Sequence, residues 1–125
     1  MTATKTLRRM LLLAVAVVAV AVPAAASGAT KAKSLTGEVG PGFTIELKQG
    51  SKDVKTLKAG TYTIKVEDKA TIHDFHLIGK GVNKSTTVPF QGTQTWKVTF
   101  KPGTYTYQCD PHAAGGMKGT FKVTK

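Results

Sequence analysis

One cysteine, Cys109, occurs in 125 residues, and no arginine follows Arg9. The first scarcity excludes an internal disulfide, so a hydrophobic core must hold the fold without a covalent staple. The second removes the planar fork with which proteins grip phosphates and read base edges. A formal net charge of +11 therefore does not point to nucleic acid. No stretch beyond residue 26 repeats its apolar residues at helical spacing, which argues against a helical fold. Long hydrophobic runs are also missing, except from Met10 to Val22, and that run is shorter than the roughly 20 residues a membrane span needs.

The run has flanks of its own. "MTATKTLRRM" is basic with no acid, and "PAAASGAT" supplies small residues, so residues 1–26 have the plan of a secretory signal peptide. Cleavage is expected after Ala26, with Ala29 as the alternative; an uncleaved anchor is the competing reading. The Arg8-Arg9 pair leaves general secretory and twin-arginine export both open. The expected product is an exported monomer, periplasmic, extracellular or associated with the cell envelope. It begins with a flexible segment, residues 27–36, and continues as one domain, residues 37–125. Without Lys5, Arg8 and Arg9, fifteen lysines face seven acidic residues. The balance favours acidic partners, or loose attachment of a soluble protein to an anionic surface.

Within the domain the hydrophobic period is two. "FTIEL" alternates Phe43, Ile45 and Leu47; "TYTIKVED" alternates Tyr62, Ile64 and Val66. "TQTWKVTF" aligns Trp96, Val98 and Phe100; "TYTYQC" aligns Tyr105, Tyr107 and Cys109. Breaks such as "GPG", "KAG", "GKG", "KPG" and "AAGG" separate the runs. About seven to eight short strands predict an all-β, Greek-key β-sandwich. The echo between "KAGTYTIKV" and "KPGTYTYQC" reads as one turn-into-strand solution used twice.

A lone thiol in an oxidising compartment is a hazard unless it is buried and inert or has work to do. Cys109 ends an inward-facing row, Pro111 forces the chain to turn, and Gly115-Gly116 allow a tight return to Met117. Thiolate, imidazole and thioether can thus converge from Cys109, His112 and Met117. This mixed donor set suits copper in both oxidation states, and a His₂Cys plane with a weak axial Met is the geometry of a blue-copper centre. The second histidine comes from "TIHDFHLI". Strand parity puts His73 on the face of Phe75 and Leu77, and His76 on the opposite, solvent-side face.

The segment from about Gly37 to Lys125 resembles the cupredoxins, and among them the plastocyanin-like small blue copper proteins. "CDPHAAGGM" is similar to the family's C-x-P-H-x₄-M loop, and "HDF" to its upstream histidine motif. The resemblance implies one copper ion held by His73, Cys109, His112 and Met117, and one-electron transfer between redox protein partners. Asp74 stands where the family usually has asparagine, and is expected to brace the two ligand loops from outside the ligand set. Ile72 replaces the glycine of azurin-type sites, which favours four ligands over five.

Other classes fit less well. There are no spare histidines for the additional sites of copper oxidases, and a thioether has little use at structural zinc. A Cys109/His112 hydrolase would require an exposed thiol and an oxyanion hole, neither of which is evident. The chain is therefore not expected to be an enzyme. The remaining alternative is a copper storage or delivery protein, which would use the same ligands.

Overall fold

Two runs of alternating residues, each with one apolar face, can satisfy both their backbones and their side chains by forming two sheets packed face to face. The computed structural model describes residues 19–23 and 33–125 and has this architecture. The signal-peptide and cleavage-site assignments fall almost wholly outside the described residues. Of the apolar run, only 19–22 are described; with Pro23 they are exposed and without regular structure. No helix among the described residues is long and apolar enough to cross a membrane.

Ten strands build the domain: β1 Lys33–Val39, β2 Ile45–Gln49, β3 Lys52–Asp53, β4 Thr56–Lys58, β5 Gly60–Asp68, β6 His76–Gly79, β7 Val82–Ser85, β8 Gly92–Phe100, β9 Gly103–Gln108 and β10 Lys118–Thr124. The first sheet has the order β3-β2-β1-β5-β8, and the second β4-β10-β9-β6-β7. Most neighbours are antiparallel, but β1 runs parallel to β5 and β10 parallel to β4. The strand count exceeds the seven to eight expected because β3 and β4 are only two and three residues long. Segments that short carry no readable period.

The flexible segment expected over 27–36 is corrected at its C-terminal end. Lys33 to Thr36 lie in β1, and Leu35 is buried opposite Ile64. The polar flanks of Leu35 conceal this, because a strand centred on one apolar residue is held by its ladder rather than by a hydrophobic row. Phe43 is corrected as well. It precedes β2 and is 69% exposed, since the "GPG" break delays pairing until Ile45.

Core residues come from both sheets. Leu35, Leu47, Ile64 and Val98 of the first meet Leu77, Tyr105, Tyr107 and Phe121 of the second. Tyr62 and Tyr105 are both buried, and each hydroxyl donates to the backbone carbonyl four residues earlier, Lys58 and Lys101, at 2.8 Å. The repeated K-x-G-T-Y-T segments are thus two tyrosine corners, one per sheet. Phe75 is fully buried and stacks on Tyr107 at 6.0 Å. Removing such a ring costs about 3–5 kcal/mol, so the chain just after His73 is firmly anchored.

Candidate metal centre

Three loops meet at the end of the sandwich where β5 finishes and β6 begins. The loop before β6 carries His73, which is fully buried. The loop after β9 carries Cys109, also fully buried, and a 3-10 helix, Asp110–Gly115, that starts with Pro111 near its N-terminus. Gly116 closes this helix at φ 103, a conformation that L-residues with a Cβ rarely adopt. The return is secured by backbone bonds: Met117 N–H to the His112 carbonyl at 3.2 Å, and Cys109 N–H to the Met117 carbonyl at 3.0 Å.

His73, Cys109 and His112 present their donor atoms to one another. The two Nδ1 atoms are 3.1 Å apart, and they lie 3.6 Å (His73) and 3.3 Å (His112) from the Cys109 Sγ. Lone pairs that face each other this closely suit a shared cation. His76, the first residue of β6, is not in this group; His73 lies in the loop before that strand, so strand parity does not itself account for the separation. Met117 is 4% exposed and shares the lining of an open hollow with Phe43, Pro111 and His112. The donor set therefore fits a soft, one-electron metal: two imidazoles, one sulfur as thiolate and one sulfur as thioether.

Packing aims these rings. His73 Nε2 is buried without a hydrogen-bond partner, so no bond on its far side orients the imidazole. Gly40 leaves the ring its place, because a Cβ there would approach His73 Cδ2 to 2.9 Å. Phe43 sits edge-on to both imidazoles, with centroids 5.4 Å from His73 and 4.9 Å from His112. Its role is not visible in alternation; the sole signal is an aromatic residue directly after a Gly-Pro-Gly break.

Around the donors lies a polar brace. Asp74 is 2% exposed, although parity assigns it to the outer face. Its Oδ1 accepts from the Asp110 N–H at 2.6 Å, and its Oδ2 accepts from the Ser85 hydroxyl at 3.0 Å. Beside it, the Phe75 N–H donates to Thr86 Oγ1, whose hydroxyl donates to Asp68 Oδ2 at 2.6 Å. Burial pushes the Asp68 carboxyl above its usual range despite these bonds. Ser85, Thr86 and Asp68 have no sequence signature. They belong here because β7 and β5 end beside the loop that carries His73.

Burial also pushes the Cys109 thiol above its usual range, against backbone amides of Asp74 and His112 that pull the other way. A bound cation would supply the missing stabilisation of thiolate. On the outer face, His76 Nδ1 donates to Asp110 at 2.8 Å and its Nε2 lies 2.6 Å from Asn83 Oδ1. Burial lowers the His76 pKa, but its bonds to Asn83 and Asp110 outweigh this and raise it above the usual 6.5.

A two-sheet β-sandwich with a His₂Cys cluster under loops at one end, two of its three donors buried, defines the cupredoxin class, whose cofactor is copper. The chain belongs to the plastocyanin/azurin family of copper binding proteins, whose sequence model matches residues 41–124. Solved structures share the fold. Reduced auracyanin from the photosynthetic bacterium Roseiflexus castenholzii aligns with TM-score 0.54 at 21% identity, covering 75% of this chain and 98% of its own. Rusticyanin from Thiobacillus ferrooxidans aligns with TM-score 0.50 at 24% identity, covering 73% of this chain and 76% of its own.

Proposed function

We propose that this protein is an exported carrier of single electrons, and not an enzyme, with one copper ion held by His73, Cys109, His112 and Met117. The observation that carries the reading is the convergence of both Nδ1 atoms and the Cys109 Sγ within 3.6 Å of one another. A bound copper ion supplies the Cu(I)/Cu(II) couple. The protein's part is to hold the donors still, so that little rearrangement accompanies the change of charge. Cys109 and Met117 are tied through the backbone, Asp74 joins the two ligand loops, and Phe75 anchors the loop of His73. Donors braced in this way favour electron transfer over storage or delivery, because release of the metal would require the brace to open.

His112 is the half-buried ligand. Its ring lies beside Phe43 and Pro111 at the rim of the hollow, so electrons would pass through its edge to a redox protein seated on this apolar face. Lys118 is one of few lysines near this face, so attraction of an acidic partner would be weaker here than the total charge suggests. Close apolar contact is the main requirement.

The test is the visible spectrum of the protein loaded with Cu(II). Thiolate-to-copper charge transfer should give intense colour, and Cys109→Ser should abolish it. Copper bound with only a faint band would refute the centre. Storage or delivery would instead appear as ready loss of copper to a competing chelator, with slow electron exchange.

A further inference from the structure

The registers order the whole molecule along one axis. Val39 opposite Asp68, Asp68 opposite Gly92, and Lys118 opposite Gln108 mark the copper end. Gly60 opposite Phe100, Gly103 opposite Val123, and Gly79 opposite Val82 mark the other pole. Charge divides along this axis. Every acidic residue except Asp53 lies toward the copper end: Glu38 is level with Glu46 and Glu67, Asp68 ends β5, and Asp74 and Asp110 flank the ligands. The lysine–carboxylate ion pairs among the described residues use carboxylates of that half, Glu46, Glu67 and Glu38, paired with Lys48, Lys65 and Lys69.

At the opposite pole no lysine among the described residues pairs with a side-chain carboxylate, although Lys58 Nζ donates to the main-chain oxygen of Lys125 at 3.1 Å. Lys58 ends β4, Lys80 and Lys101 lie in the β6–β7 and β8–β9 connections, Lys125 follows β10, and Lys33 begins β1; all are exposed. Lys80 and Lys101, with Lys84 and Lys97, also line an open cleft of about 370 Å³ where edge strands β7 and β8 face each other across the sandwich. Edge lysines discourage strand pairing, but that role does not account for those in the turns or for the separation of charge.

We propose that this lysine pole is a docking face for an anionic lipid bilayer, which holds the protein with its copper end pointing away from the membrane. Two features favour lipid over an acidic protein. The cations sit on long, separate stems with no arginine among them, which suits mobile headgroups better than carboxylates in fixed positions. The acidic residues at the other end would be repelled by the same bilayer, so attraction and repulsion turn the molecule in one sense. The inference does not use the copper ligands, and it stands or falls separately from them.

Two charge-matched double variants of the full chain test it: Lys80→Glu with Lys101→Glu at the pole, and Lys69→Glu with Lys118→Glu at the copper end. All four side chains are exposed, and far-UV circular dichroism with a thermal melt reports whether each variant has folded. Binding is measured to vesicles of phosphatidylglycerol mixed with phosphatidylcholine and to phosphatidylcholine alone. The pole variant should lose the preference for anionic vesicles by about tenfold or more, and the copper-end variant should keep it. Hydrogen exchange should slow on these vesicles around Lys58, Lys80 and Lys101, and not over Asp110–Gly115. Equal losses in both variants would mean that only net charge matters, and would overturn the proposal. So would indifference to anionic vesicles, including the case where the pole binds a soluble acidic protein instead.

Discussion

The carboxylate of Asp74 accepts a hydrogen bond from the backbone N–H of Asp110 at 2.6 Å, linking the residue after His73 to the residue after Cys109. The two loops are far apart in the chain, and this bond fixes their separation at the copper end. Asp74→Ala should leave the Asp110 N–H and the Ser85 hydroxyl without an acceptor, at a cost of about 1–3 kcal/mol in urea denaturation. Asp74→Asn keeps an acceptor oxygen and should recover most of that loss. It also removes a negative charge beside copper, so its reduction potential should be higher than that of the wild type. An alanine variant as stable as the wild type would show that the loops are held by other means.

His73→Ala should eliminate the coloured copper site, whereas His76→Gln should leave it nearly intact. Retention of colour in the first variant, with loss in the second, would reverse the assignment.

His76 should instead govern stability against pH. Burial lowers its basicity, but the bonds to Asn83 and Asp110 outweigh this and raise its pKa above the usual 6.5. Asp110 is held below its usual 3.8 because bonds from Gln108 and His76 outweigh its own desolvation. The raised His76 pKa gives stability that is fully present below 6.5 and lost as pH rises through the folded value. The lowered Asp110 pKa gives stability present above 3.8 and lost as pH falls through its folded value. The melting-temperature advantage of wild type over His76→Gln should therefore be greatest between those limits and decline on both sides. A difference that does not vary with pH would remove the charged pair from this account.

Met117 is buried beside the donors but is expected to bind weakly along the axis. Met117→Leu should retain copper and colour. Leucine fills the space and excludes water, which favours the less charged Cu(I), so the potential should rise. Complete loss of copper would make Met117 a principal ligand.

Phe43 shields the edges of both imidazoles while remaining mostly exposed itself. Phe43→Ala should cost no more than about 0.5–1.5 kcal/mol in stability, yet it should speed removal of copper by a small chelator and reduction by small solution reductants. Rates unchanged from wild type would mean that the ring does not limit access.

Much of this protein is legible in the order of its residues. Alternation at Tyr62-Ile64-Val66 and Trp96-Val98-Phe100 dictates two-sided strands, because a period of two buries one face and exposes the other whatever the partner strand. Local spacing also brings Cys109, His112 and Met117 together, since proline and two glycines leave a loop of that length little choice. The strand parity that sets His73 apart from His76 does not carry over, because β6 begins only at His76 and His73 lies in the loop before it. Only the tertiary structure decides what depends on distant segments meeting: Leu35 pairing into β1, Asp74 turning inward to bond Asp110, Ser85 and Thr86 arriving from β7, and Phe43 remaining outside to cover the imidazoles. The division of charge between the poles belongs to that second group. Lysines scattered evenly along the chain become one face only after the strands that carry them are laid in register.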